Sequence, residues 1–488
     1  MYYLFFFVTS LLTVSSLLRL SLLSHLQTQL LYSRISLILL AATNGLVLLT
    51  LVSAYNIFNF FSTLGIRYTY ELLDLAMLAP KCTGLVPLFE VSDLHHVSVY
   101  YFPYIYIFIL VTFISLFFCL SYNKDELTSF TTFCTLILLA GYTLFYTDSL
   151  ILFFMAYEML LIPSFFILYK FAKTRRSVEA AYLMFFWTQF GAMFLIFGFL
   201  YLFLSSGAST FAHLESTQLN TFELNFLFIC LLIGFGVKLP IWPFYGWLPK
   251  AHVEASTNFS IFLSGVLVKF AFFGFMKVLF TVQLEPTFYF VYPFLTIGIC
   301  DAVFKLFYQT DLKKLVAYST VVEMHWLTIC VVSGHSTLML AAFSMLVSHA
   351  LLSTSSFLIV DAIGRRFKSR LITEIGGLNF LCPKLFLFGL LNLLIFLGFP
   401  GSIMFISEIL FFSFFFDLHP ALCLVYIVLL YLLAPTMFFR SWALALFGNS
   451  SHLSKEIPVD LTSRELLLFT FLTALMLWLG VSWQSFLF

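Results

Sequence analysis

The chain has 488 residues, of which 62% are hydrophobic and 10% are charged, and its formal net charge is +1. A soluble domain has about 45–50% apolar and about 25% charged residues. So few charges cannot cover a water-exposed surface, and a near-zero net charge argues against nucleic-acid binding. The composition excludes a soluble, disordered or disulfide-based protein and predicts a polytopic membrane protein.

Apolar segments long enough to cross a bilayer recur along the whole chain, since one crossing needs ~20 apolar residues. In chain order they are 1–23, 35–60, 98–122, 128–147, 149–169, 178–204, 222–246, 256–281, 288–308, 314–334, 337–360, 381–415, 420–446 and 465–486. The alternation of a β-barrel is absent. We therefore expect an all-α membrane protein of about 14 transmembrane helices.

The basic residues of the loops indicate orientation. When the loops are numbered by the segment they follow, most Lys and Arg lie in odd-numbered loops, and the even-numbered side holds Arg67, Lys81 and Lys277. This bias places both termini on the outer side. The N-terminus has no basic region before its apolar run, which favours a retained first helix over a signal peptide. The eight Cys residues are scattered without a CxxC pair, which argues against a zinc or iron–sulfur site.

Charged and histidine side chains occur in the middle of several apolar segments. They are Glu158, Lys238, Lys269, Glu323, His325, His349 and Glu408. A charge at that depth costs ~2.5–3.5 kcal/mol, so these groups must pair or reach internal water. Burial disfavours the charged form of both Lys and Glu, so a contact between them can load or release a proton. We interpret the set as a proton relay; the alternative is a set of salt bridges that only hold helices together.

Spacing along the helices refines two pairs. Glu323 and His325 are two residues apart, or ~200° around a helix, so they cannot share a face. We expect one to join the relay and the other to meet a neighbouring helix. Asp301 and Lys305 are four apart with the acid first, which favours a local helical ion pair.

Two segments contain helix breakers beside an ion. In segment 7, GFGVKLPIWPFYGWLPKAH, three prolines follow Lys238, and in segment 12, LGFPGSIMFISE, Pro400 and Gly401 precede Glu408. Proline removes a backbone donor, and the freed groups must face protein or a wet cavity. The alternative is a pair of kinks used for packing.

Interrupted segments five crossings apart suggest two inverted repeats of five helices, segments 4–8 and 9–13. The predicted organisation is then 1–127 for the N-terminal helices, 128–281 and 288–446 for the repeats, and 465–486 for a C-terminal helix.

Four runs carry a resemblance when taken together: VKLPIWPFYGWLPKAHVEAS, SGVLVKFAFFGF, QTDLKKLVAYSTV and MLVSHALLS. As a set they resemble the antiporter-like, proton-pumping subunits of respiratory complex I, whose order and spacing the chain follows from about 145 to 415. The resemblance implies proton translocation coupled to NADH-to-ubiquinone electron transfer in other subunits. NADH, FMN, iron–sulfur clusters and ubiquinone are then expected in those subunits, with no cofactor or metal in this chain.

The same resemblance implies partners and a location. The partners would be other complex I membrane subunits, the antiporter-like chains 2 and 5, and the lipid bilayer. The 66 Phe residues have T-rich codons, which favours an organelle-encoded chain. We expect the mitochondrial inner membrane, with both termini on the intermembrane-space side. An Mrp-type cation/proton antiporter subunit is the alternative, and a purely structural membrane subunit is a third hypothesis.

The resemblance also implies roles for individual residues. Glu158 and Lys238 match the paired ions of the family, and Lys269 matches its central lysine. The proton would pass from Lys269 by the group at segment 10 and His349 to Glu408. His252, in KAHVEA, matches a histidine with a positional or water-network role.

The chain departs from the family pattern at segment 10 and after the first break. TVVEMHW places Glu323 at the customary histidine position, and a histidine follows two residues later at His325. Tyr245 stands where a histidine is frequent, and Lys250 where Asp is usual. The relay near segment 10 is therefore expected to use Glu323 in place of an imidazole.

Overall fold

The computed structural model describes residues 124–172, 174–215, 220–282, 290–448 and 459–482. The first three predicted segments, and nearly all of the predicted domain 1–127, lie outside these residues. Within the described ranges the regular elements are helices, with no strand. The prediction of an all-α fold is confirmed there, whereas the count of about 14 helices and the inverted repeats stay predictions.

Each predicted segment from 128–147 onward coincides with one helix or with a pair of shorter helices. The main helices are α1 (Lys124–Tyr146), α2 (Leu150–Lys170), α3 (Arg175–Ser206), α4 (Thr221–Lys238), α5 (Trp247–Glu254), α6 (Thr257–Thr281), α7 (Val291–Phe307), α8 (Leu312–Val332), α9 (Ser336–Phe367), α10 (Pro383–Phe396), α11 (Ile403–Leu418), α12 (Pro420–Phe447) and α13 (Ser463–Val481). Among the described residues, seven helices are long and apolar enough to cross a membrane: α2, α3, α6, α8, α9, α12 and α13.

Three helices form the centre of the bundle. The apolar stretches of α6, α8 and α9 are 94–100% buried, whereas those of α2, α3, α12 and α13 are 33–50% buried. The outer helices expose large apolar side chains such as Phe186 and Leu204, as expected of a surface that meets lipid or other subunits. Lys269, Glu323 and His349 lie on the three central helices and are therefore shielded from that surface.

Segment 7 is broken between α4 and α5, as its prolines predict. α4 ends at Lys238, and a short irregular stretch and one 3₁₀ turn lead into α5. The Trp247 indole N–H donates to the Val237 carbonyl at 2.8 Å. The backbone N–H of Trp242 donates to His325 Nε2 at 2.8 Å. Backbone groups freed by the break are thus satisfied by side chains, which a membrane interior requires.

The second predicted break lies between α10 and α11. Gly398 and Gly401 have φ of +71° and +92°, a region that glycine enters without strain. Ser402 caps α11 by accepting from the Phe405 N–H at 3.3 Å. A methyl group at Gly398 would collide with the Glu408 carboxyl group, so the glycine makes room for that acid.

Two helices contain π-helical turns, in which the backbone is wider than in an α-helix. One covers Leu263–Leu267 in α6, directly before Lys269. The other covers Ile427–Leu433 in α12. It precedes Pro435, which has no backbone N–H to donate to the preceding helical turn. Both turns lie beside the buried ions of the central helices.

Small residues bring α3 and α4 into close contact. A Cβ at Gly234 would meet the Leu195 side chain and lie 3.1 Å from the Gly191 carbonyl, and one at Gly191 would lie 2.9 Å from the Gly234 carbonyl. Close approach at small residues is a common means of packing membrane helices.

Gly234→Ala is expected to lower stability by about 1–3 kcal/mol, because the added methyl overpacks this crossing. Gly246→Ala is the matched control: its φ is −59° and nothing lies within 4 Å of an added Cβ. The midpoint of thermal denaturation of the purified assembly measures the effect. Equal midpoints for the two variants would contradict the close crossing.

Candidate functional site

The first ion pair joins α2 to the end of α4. Lys238 Nζ lies 3.5 Å from Glu158 Oε1 and donates to the Tyr157 carbonyl at 2.8 Å. It also lies 3.4 Å above the Tyr157 ring, and Gln189 Nε2 donates to Glu158 Oε2 at 3.0 Å. Lys238 therefore has a carbonyl and a ring as partners besides the carboxylate. It can loosen its contact with Glu158 without losing all stabilisation.

The second group links the three central helices. Lys269, which is fully buried, donates to the Ser264 carbonyl, and the Ser264 hydroxyl lies 3.3 Å from His349 Nε2. The other ring nitrogen of His349 contacts Glu323 Oε2. The π-helical turn contains Ser264, five residues before Lys269, so the lysine reaches back along its own helix.

The order of these contacts differs from the order expected from sequence. His349 lies between Lys269 and Glu323, whereas the resemblance implied that the segment 10 group would precede it. The reason is geometric: the two ring nitrogens of His349 point to different helices, one towards α6 and one towards α8.

Glu408 lies on α11, beside a small cavity of about 20 Å³ that Glu323 also lines. Its Oε2 has no hydrogen-bond partner among the described residues. The structure thus brings Lys269, His349, Glu323 and Glu408 into one buried group. Within the part of the chain that the structure describes, no ion pair or hydrogen bond joins that group to Lys238.

His325 is placed away from this group, although the sequence prediction included it in the relay. Its Nδ1 donates to the Val321 carbonyl at 2.8 Å while Nε2 accepts from the Trp242 N–H, so both nitrogens are engaged with backbone. This arrangement corresponds to the neutral ring with its proton on Nδ1. Glu323 contacts His349 on α9, whereas His325 contacts the break after α4. That one of the two residues joins a relay stays a prediction.

His252 is fully buried on α5, and neither ring nitrogen has a hydrogen-bond partner among the described residues. Its ring stacks on Phe357 with centroids 4.9 Å apart. The ionisable groups that act on it include Lys313, His349 and Lys269. The positional or water-network role that the resemblance implies for His252 stays a prediction.

Tyr245, Asp301 and Lys305 form a separate cluster between the first break and α7. Lys305 Nζ donates to Asp301 Oδ2 at 2.7 Å, and the Tyr245 hydroxyl contacts both ions. The predicted pair of Asp301 and Lys305 is confirmed, and Tyr245 is an added member that sequence spacing could not reveal.

Two buried lysines, which the orientation inferred from sequence counts with the loops and their borders, cap the ends of helices. Lys277 donates to the Thr147 and Phe145 carbonyls, at the end of α1. Lys313 donates to the Ala255 carbonyl at 2.6 Å, where α5 ends. Cations are favourable at helix C-termini because they offset the exposed carbonyls. Only their neighbours in space, not their sequence, distinguish them from loop lysines.

Comparisons with known proteins identify the family and the fold of the chain. The family described as NADH:quinone oxidoreductase/Mrp antiporter, transmembrane, matches residues 147–434. The Thermus thermophilus respiratory complex I contains a chain with a TM-score of 0.75 at 18% identity, covering 99% of this chain and 98% of that one. A chain of the Dietzia Mrp complex gives a TM-score of 0.69 at 15% identity, covering 80% of this chain and 82% of that one.

The chain therefore belongs to the family of antiporter-like membrane subunits that NADH:quinone oxidoreductases and Mrp antiporters share. Two of its curated relatives carry the name of one particular subunit within this family. It is 33% identical over 347 residues to NADH-ubiquinone oxidoreductase chain 4 of Paramecium tetraurelia, covering 71% of this chain and 73% of the relative. It is 30% identical over 370 residues to NADH-ubiquinone oxidoreductase chain 4 of Marchantia polymorpha, covering 75% of this chain and 74% of the relative. The sequence motifs predicted a resemblance to the antiporter-like subunits of respiratory complex I, and the similarity to these chain 4 relatives confirms that prediction.

His325→Phe is expected to destabilise the assembly by about 1–3 kcal/mol, because it leaves the buried Trp242 N–H unsatisfied. His325→Gln retains an acceptor and should restore most of the loss. The measurements are the thermal midpoint and the amount of assembled complex on a native gel. Normal stability of His325→Phe together with loss of proton pumping would place His325 in the relay after all.

Proposed function

We propose that this chain is a proton-translocating membrane subunit of respiratory complex I. The observation that supports it most directly is the buried group Lys269–Ser264–His349–Glu323, which continues to the cavity beside Glu408. Buried ionisable groups in mutual contact are the means by which a membrane protein moves protons. The curated relatives named chain 4 add support for the complex in which this occurs.

In this proposal the Glu158–Lys238 pair receives the signal from electron transfer. Loosening the 3.5 Å contact leaves Lys238 held by the Tyr157 carbonyl and ring that it already contacts, which changes the electrostatic field at the central group. Water must then connect Lys238 with Lys269. His349 can take a proton on the nitrogen facing Ser264 and release one from the nitrogen facing Glu323, as imidazole does in proton shuttles. Glu323 passes the proton on towards Glu408.

The remaining parts of the proposal concern the assembly. The chain would contribute to NADH:ubiquinone reductase as a subunit without a redox centre, with NADH, FMN, iron–sulfur clusters and ubiquinone bound elsewhere. It would cross the mitochondrial inner membrane about 14 times, as two inverted repeats with flanking helices. Both termini would face the intermembrane space, and chains 2 and 5 would be its antiporter-like neighbours.

A second candidate is an Mrp-type cation/proton antiporter subunit. It is favoured by the family description, which includes Mrp antiporters, and by the similarity in fold to the Dietzia Mrp chain. Sodium-for-proton exchange by reconstituted vesicles without NADH would support this candidate.

Lys269→Ala should lower NADH-driven proton pumping by at least about tenfold, since it removes a buried proton-carrying group. Lys250→Ala, at an exposed lysine, is the control and should pump normally. Pumping is followed with a pH-sensitive dye in sealed vesicles, beside a native gel that verifies assembly. Normal pumping by an assembled Lys269→Ala complex would reject the relay and favour a structural subunit.

A double-mutant cycle of Glu158→Gln and Lys238→Met tests the first pair. We expect each single variant to slow pumping and the double variant to lose less than the two single losses combined, because each single change leaves its partner without a counter-ion. The coupling is calculated from initial pumping rates at equal amounts of assembled complex. Strictly additive losses would show that the pair does not act as a unit.

A further inference from the structure

The cavity beside Glu408 lies between α8, α11 and α12. Its volume is about 20 Å³, and it is lined by Glu323 and Trp326 from α8, Glu408 from α11, and Ala434 and Pro435 from α12. The π-helical turn of α12 ends just before Ala434. The widened turn and the proline displace this part of α12 from regular helical packing, and the cavity lies against it.

Three polar atoms around this cavity lack a hydrogen-bond partner among the described residues. They are Glu323 Oε1, Glu408 Oε2 and the indole Nε1 of Trp326. Their residues are 4%, 6% and 3% exposed. An unsatisfied polar group at that depth is costly, so three around one cavity indicate a missing partner. Glu323 and Trp326 are three residues apart, which places them on one face of α8.

A water molecule matches this site better than a metal ion does. A cavity of at least ~10–15 Å³ with two to four polar partners can hold one water. The Trp326 N–H is a donor and would repel a cation, and among the described residues no cluster of three or more His, Cys, Asp or Glu could hold a metal. A water can accept from the indole and from a protonated carboxyl group, and it can donate to an ionised carboxylate.

We propose that one water molecule bridges Trp326, Glu323 and Glu408, and that the two carboxyl groups share a single proton through it. Other charged groups facing the pair are His349, on the second oxygen of Glu323, and Lys269, whose charge acts on Glu323. The α12 wall of the cavity is apolar. Two carboxylates facing one buried cavity cannot both be ionised without a large cost in free energy, and a bridging water lets them hold one proton between them.

The transfer step balances on these three groups. The water gives a proton from its O–H to Glu408 Oε2 while it takes the Glu323 proton onto its oxygen. In each of these two transfers one O–H bond breaks and one O–H bond forms. This inference rests on the proposed function, because it describes how the proton passes from Glu323 to Glu408. Trp326 acts as a positioning residue that holds the water.

Infrared difference spectroscopy of the intact complex tests the site. The wild type should show a water O–H band that shifts in H₂¹⁸O, and a protonated carboxyl band. Ala434→Val fills the cavity and Trp326→Phe removes the donor, so both should abolish the water band. Ala445→Val, at another buried alanine of α12, is the matched control and should retain it. No water band in the wild type would overturn the proposal.

The single proton is tested with Glu323→Gln and Glu408→Gln. If the pair shares one proton, the wild-type carboxyl band has the area of a single protonated acid. A wild-type band with the summed area of the bands of the two variants, both of them present, would mean that each acid carries its own proton, and would reject the sharing.

Pumping rates separate this inference from the proposed function. Ala434→Val should slow pumping about tenfold while Ala445→Val stays within about twofold. If Lys269→Ala pumps normally, the proposed function fails whatever the spectra show. If Lys269→Ala stops pumping but Ala434→Val does not slow it, the relay stands and the water site is rejected.

Discussion

Polar groups inside a bilayer must find partners within the protein, because an unsatisfied one costs several kcal/mol. The central helices satisfy this constraint for one another. α6 contributes a lysine and the serine that holds it, α9 contributes a histidine whose two nitrogens face different helices, and α8 contributes a carboxylate. The outer helices then serve to exclude lipid from this group, and their own composition is correspondingly apolar.

Much of the fold could be predicted because its causes are local in sequence. Stretches of apolar residues define helices, and Pro240, Pro243 and the Pro400–Gly401 pair define breaks, since proline cannot donate a backbone hydrogen bond. Packing order and burial could not be predicted. Nothing in the hydropathy of α6, α8 and α9 distinguishes them from the outer helices, although their apolar stretches are far more buried.

The candidate site was predictable in its charged members and not in its uncharged ones. A lone ion in an apolar segment is conspicuous, so Glu158, Lys238 and Lys269 could be named from sequence. Ser264 and Trp326 are ordinary in membrane helices, and their roles depend on contacts across helices. For His325, depth in the helix suggested a place in the relay, and the sequence did not reveal its two hydrogen bonds to backbone groups, one of them at the broken helix. Its part in the relay stays a prediction.

The π-helical turn at Leu263–Leu267 has a consequence for the evolution of the chain. Such a turn contains one residue more than an α-helical turn, so it behaves as a single-residue insertion accommodated inside a helix. Drawing this turn into a regular α-helix without removing a residue would rotate everything that follows by about 100°. Lys269 would then face a different neighbour. The wide turn and the number of residues before the lysine are therefore linked, even where the identity of the apolar residues is free to change.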